Sequence, residues 1–149
     1  MRLCIRILIL VSAAASFGAC DEGLSSLAGP TPDLEATFAA IQRDIFEASD
    51  SSGRSLCVGC HTNVGRNPLG GLNLIHDVAF DQLVNVSSTQ RPGTLRVVPG
   101  NPDASYLIHK LDGRAGIVGL RMPRNGPPYL TEGQILIIRR WIEIGAPRN

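Results

Sequence analysis

Cys57-Val58-Gly59-Cys60-His61 is the stretch on which the reading of this chain turns. Two thiols and an imidazole stand at positions i, i+3 and i+4, so on one helical turn all three leave from the same side. Val58 and Gly59 face elsewhere and need only be unobtrusive. C-x-x-C-H is the attachment pattern of c-type haem: two thiols add to two vinyl groups, and the neighbouring imidazole reaches the iron. Three competitors use similar residues. A thioredoxin-like redox pair sits beside a βαβ pattern, whereas Ser51-Ser52-Gly53-Arg54 precedes this pair. A zinc site takes four ligands at close spacing. After His61 only His76 and His109 remain, at gaps of 15 and 33 residues. A plain Cys57–Cys60 disulfide closes a very small loop and leaves His61 without a role. The covalent haem reading is the one that uses all three residues.

The compartment agrees. Arg2 and Arg6 flank the start of an apolar run, Ile7-Leu8-Ile9-Leu10-Val11, which small residues follow as far as Ala19. A basic start, a short apolar stretch and a small-residue exit read as a secretory signal over residues 1–19. The run is too short for a membrane span. Phe17-Gly18-Ala19-Cys20 resembles a bacterial lipobox, in which Cys20 becomes the lipidated first residue; acyl chains there would tie the exported protein to a membrane. Residues 20–30, rich in Gly, Ser and acidic residues, read as a flexible tether, and 31–149 as one domain. Bacterial c-type haem is attached outside the cytoplasm, so export and the motif support each other.

Composition sets the remaining bounds. A chain of 149 residues with a formal charge of +1 carries one domain and lacks the basic excess of a nucleic-acid binder. Hydrophobic residues make up 44%, too many for a disordered chain. Large rings are few: four Phe, two Tyr and one Trp. A flat macrocycle would supply the apolar bulk they do not, and the polypeptide alone is then expected to lack a proper core.

The pattern is helical, with Gly/Pro loops between. Thr31-Pro32 suits a helix start. Leu34, Phe38, Ile41 and Ile45 form one stripe, which predicts a helix ending near Ser49. Thr131-Glu132-Gly133-Gln134 fits a capping box. Ile135, Ile138 and Ile142 then share a face with Trp141 beside them, and Gly145 and Pro147 supply the stop. Shorter helices are expected from Asp77 to about Val86 and from Asn101-Pro102-Asp103 to Leu111. Leu95 to Val98 reads as a short extended piece. Residues 112–130, with four Gly and three Pro, form a connection long enough to be functional.

The second axial position on the iron has three candidates: His76, His109 and Met122. Met122 is favoured. It lies in the 112–130 loop before Pro123 and on no helical stripe, unlike a methionine that fills a core gap. His109 is expected to point away from the apolar face of its helix, and His76 to sit at a helix start. A His/Met pair fills both positions and raises the reduction potential, which suits electron transfer. An open position would suit a redox or gas sensor, or the haem subunit of a peroxidase or oxidase. Arg121 and Arg124 flank Met122 and are candidate partners for haem propionates. Trp141 and Tyr129 are weaker candidates, better read as core. Arg139-Arg140 reads as a solvated helix edge, and Gly70-Gly71 as a turn.

From about Phe38 to Ala146 the chain resembles class I c-type cytochromes, and in particular the planctomycete-type cytochrome c domain. The matching pieces, in order, are Cys57-Val58-Gly59-Cys60-His61, Gly70-Gly71-Leu72-Asn73-Leu74, Val98 to Leu107, Arg121-Met122-Pro123 and Trp141 to Ala146. Thr62 departs from the Gly that often follows the histidine. The resemblance implies an all-α fold: a small helical domain with packed terminal helices, wrapped around one covalent haem c. It implies His61 as proximal and Met122 as distal ligand, and redox proteins as donor and acceptor.

Overall fold

The computed structural model describes residues 35–49 and 51–149. The leader, Cys20, the tether and the Thr31-Pro32 helix start lie outside the described residues. Among those described there are four α-helices and no strand, an all-α arrangement: α1 (Phe38–Ile41), α2 (Ala79–Leu83), α3 (Tyr106–Asp112) and α4 (Glu132–Glu143). None of them is long and apolar enough to cross a membrane.

α1 begins where Thr37 Oγ1 accepts from Ala40 N at 3.1 Å. Two further free amides of its first turn are satisfied from the far end of the chain: Phe38 N donates to Asn149 Oδ1 at 2.9 Å and Ala39 N to Asn149 O at 2.8 Å. The helix then widens into a π turn over Gln42–Phe46. Phe38, Ile41 and Ile45 of the expected stripe are all buried.

α4 starts as its sequence predicts. Thr131 Oγ1 accepts from Gln134 N at 3.2 Å, and Gln134 Oε1 accepts from Thr131 N at 3.0 Å. Each thus satisfies a donor the helix itself cannot. Ile135, Ile138, Trp141 and Ile142 are its buried face. α1 and α4 meet where Phe38 lies 5.3 Å from Trp141, centroid to centroid, with Phe80 of α2 set edge-on against Phe38 at 5.2 Å.

The middle of the chain is less regular than its pattern suggests. α2 stops at Leu83, because Val84 turns extended, Asn85 takes a left-handed φ of +59°, and the chain then pairs with the 95–97 stretch. Asn85 N donates to Val97 O at 3.0 Å and Arg96 N to Val86 O at 2.8 Å, leaving two isolated bridges, Val84 with Val97 and Ser87 with Leu95. The helix expected from 102 to 111 is split. A 3-10 turn, Pro102–Ala104, is separated from α3 by Ser105 in extended conformation. Ser105 is fully buried; its hydroxyl donates to Asn101 O at 2.8 Å and accepts from Val98 N at 2.9 Å. Two hydrogen bonds on a buried hydroxyl outweigh one continuous turn of helix. α3 ends on Gly113 at φ +72°, where a Cβ would lie 2.9 Å from Arg121 Cδ.

The expectation of a domain without its own core is corrected here. Branched aliphatic side chains do the filling: Ile41, Ile45, Leu83, Val97, Ile108, Ile138 and Ile142 are each 0% exposed and belong to one core cluster with Trp141.

Candidate functional site

Cys57–Gly59 forms a 3-10 turn. Cys60 N donates to Cys57 O at 3.2 Å and His61 N to the same oxygen at 2.9 Å. That single turn sets Cys57, Cys60 and His61 on the wall of a cavity of about 610 Å³, while Val58 and Gly59 stay off it. The volume lies in the range of about 300–1,000 Å³ typical of cofactor sites. Met122, more than sixty residues away in sequence, lines the same cavity. His76 and His109 do not. His76 is exposed, and His109 is half-buried with Nε2 donating to Asp103 O at 2.6 Å. Of the three candidates for a second iron ligand, Met122 is the one that reaches the cavity wall.

The local chemistry of each residue is distinct. Both thiols are unbridged, Cys57 half-buried and Cys60 exposed. Burial pushes the Cys57 thiol up, and the Arg54 guanidinium opposes that shift. Arg54 is itself buried and donates to Ile45 O at 3.2 Å and Ala48 O at 3.0 Å. It thereby ties the end of the π turn to the segment that carries Cys57, whose sulfur lies 3.8 Å from Nη1. His61 Nδ1 donates to Leu69 O at 2.9 Å, with Leu72 O at 3.3 Å. Both carbonyls belong to the Leu69–Gly71 turn and its cap. Gly70 at φ +64° and Gly71 at +60° are backbone angles that favour glycine. With Nδ1 bound to carbonyl oxygen, Nε2 is the nitrogen left to coordinate a metal. Burial lowers the His61 pKa most; the two carbonyls pull the other way, and the charges of Arg96 and Lys110 lower it further. The shift favours the neutral ring, the form that ligates.

The rest of the cavity wall is largely apolar, with Phe46, Leu74, Leu83 and Leu130 among its residues, and it includes no Asp or Glu. Its cations are Arg96, Lys110 and Arg124. Arg96 and Lys110 are buried, at 6% and 8% exposure, and desolvation lowers the pKa of each. Arg96 donates to Gln82 O at 2.7 Å and Gly71 O at 2.9 Å. Neither side chain pairs with a carboxylate among the described residues. A buried cation without counter-charge is costly, so the cavity is built to favour an anion.

The flanking candidates divide. Arg124 lines the cavity. Arg121 turns away, with Nε donating to Leu111 O at 2.7 Å and its guanidinium 4.2 Å over the Tyr129 ring. Trp141 is core, its Nε1 donating to Pro147 O at 2.9 Å. Of the Arg139-Arg140 edge, Arg140 is exposed, and Arg139 pairs at the surface with Asp103 at 2.8 Å and faces Asp112 at 3.8 Å.

These residues fit a covalent haem. A zinc ion needs ligands converging on one point, and no three His, Cys, Asp or Glu side chains do so among the described residues. Two separate thiols, one imidazole with a free Nε2, a thioether and buried cations in an apolar cavity suit a flat, apolar iron macrocycle that carries carboxylates. Arg54, Arg96 and Lys110 were not among the site residues expected from the sequence. No family model, curated protein or solved structure matches the chain.

Proposed function

We propose that this protein is an exported, lipid-anchored electron carrier of the c-type cytochrome class, taking one haem c through Cys57 and Cys60, with His61 and Met122 as axial ligands. The group supplies a one-electron iron couple when bound. The observation that carries the reading is that Met122 lines the same cavity as the Cys57–His61 turn, although the sequence separates them widely.

The chain's own residues divide the work. Cys57 and Cys60 fix the cofactor permanently, so no dissociation competes with turnover. His61 presents Nε2 because Leu69 O holds Nδ1. Met122 fills the remaining position with a protein ligand, which leaves no place at the metal for a substrate and favours electron transfer over oxygen or peroxide chemistry. Arg96 within the cavity and Arg124 on its wall would meet the group's carboxylates as charge-assisted donors. Leu74, Leu83 and Leu130 exclude water, which limits the reorganisation that accompanies a change of charge. Donor and acceptor are other redox proteins. Cys20 holds the carrier at the extracytoplasmic face of a membrane.

The test is alkaline pyridine haemochrome spectroscopy, with intact mass, on protein exported in cells that carry a haem-maturation system. The expected result is a c-type spectrum and one covalent haem per chain. Colourless protein with the mass of the processed polypeptide and its acyl groups would overturn the reading.

A further inference from the structure

Lys110 is the one buried ammonium on the cavity wall, and its ammonium donates twice to a single loop. Its Nζ donates to Val118 O at 2.8 Å and to Leu120 O at 2.7 Å. Its own carbonyl accepts from Met122 N at 2.8 Å. The next carbonyl on α3, Leu111 O, accepts from Arg121 Nε at 2.7 Å. Two consecutive helical residues thus make four hydrogen bonds to residues 118–122. The 113–130 segment contains no helix. The contacts within it beside Met122 are Gly126 N donating to Pro123 O at 3.0 Å and Arg121 over the Tyr129 ring, and Tyr106 Oη accepts from Val118 N at 2.9 Å. An apolar residue would fill the same buried place at lower desolvation cost. What the ammonium adds is a charged donor that ties two backbone carbonyls of the loop to α3.

We propose that Lys110 is the positioning residue for the Met122 thioether, holding the 118–122 chain so that Met122 is presented to the cavity. The inference rests on the reading of Met122 as an axial ligand. Lys110 touches no reacting atom. It acts through the loop.

The experiment compares haem-loaded wild type with Lys110→Met, Lys110→Arg, Met122→Ala and Arg139→Met. Three quantities are read: the Met–iron charge-transfer absorption of the oxidised protein, the midpoint potential, and the rate of tryptic cleavage after Arg121 and Arg124. Met122→Ala defines complete loss of the thioether. Lys110→Met is expected to lose the absorption to that level, to shift its potential toward that of Met122→Ala, and to be cleaved at least several-fold faster. Lys110→Arg, which keeps the charge and the donors, retains the absorption. Arg139→Met breaks the Asp103 and Asp112 contacts but leaves the 118–122 bonds in place, so it lowers stability and keeps the absorption. The proposal is overturned if Lys110→Met keeps the wild-type absorption and potential, or if Arg139→Met loses them equally. Should Lys110→Met not accumulate, Lys110→Gln is read in the same way, because its shorter amide does not span both carbonyls. If wild type carries haem but shows no Met–iron absorption, the axial assignment fails by itself. The cleavage rates then decide whether Lys110 holds the loop, and equal rates overturn the proposal.

Discussion

Asp103 Oδ1 takes two guanidinium groups at once, Arg114 at 2.7 Å and Arg139 at 2.8 Å. The Arg114 hydrogen bond, followed by that of Arg139, pulls this carboxyl down from 3.8 to about 2. A carboxyl whose pKa is lower folded than unfolded stabilises the fold above its unfolded pKa and loses that contribution as pH falls through the folded one. Asp103→Asn is therefore expected to lower the urea midpoint near neutral pH, with the gap to wild type closing as pH falls from about 4 to about 2. The same gap should narrow in high salt, because the group is exposed and its ion pairs are screened. Equal midpoints for the two proteins near neutral pH would remove Asp103 from the account. At this scale the sequence was uneven. Cys57, Cys60, His61 and Met122 were legible because a haem motif and a lone loop methionine are rare local signals. Arg54, Arg96 and Lys110 were not. A single basic residue reads as a solvated charge, and what holds these three in the fold is a set of backbone carbonyls from adjoining turns and loops, which no local pattern carries.

α4 is the element most fully written in its own residues. Its cap, its stripe and its stop all lie within Thr131 to Pro147, so no outside partner had to be guessed. Thr131→Ala removes the acceptor for Gln134 N and is expected to cost about 1 kcal/mol, measured by chemical denaturation, with Thr131→Ser recovering most of the loss. No loss in the alanine variant would mean that the box contributes nothing here. α2 and α3 depart from their patterns because tertiary partners intervene. The 95–97 stretch draws Val84 to Val86 out of helix, and Ser105 gives up helical geometry for two hydrogen bonds. The 113–130 loop was recognisable as a packed connection from its glycines, prolines and apolar residues. That its anchor would be a lysine on the preceding helix was not.

Across the whole molecule, the described chain divides into a packed aliphatic core, closed by the contact of α1 with α4, and a cavity whose walls come from segments spread between Phe46 and Leu130. The core was underestimated from the sequence. Counting aromatic rings overlooks how well isoleucine and valine fill space beside a single large indole. That indole is the only tryptophan in the chain, and it is 0% exposed. It therefore serves as a built-in optical reporter. In a domain with a radius of gyration of about 13 Å, any strongly absorbing pigment lies within energy-transfer range of it. Emission from pigment-loaded protein should be nearly dark and should recover when the chain is unfolded. Pigment-free protein should fluoresce brightly at short wavelength and shift to the red on unfolding. Equal brightness in the two native samples would place no pigment beside the indole.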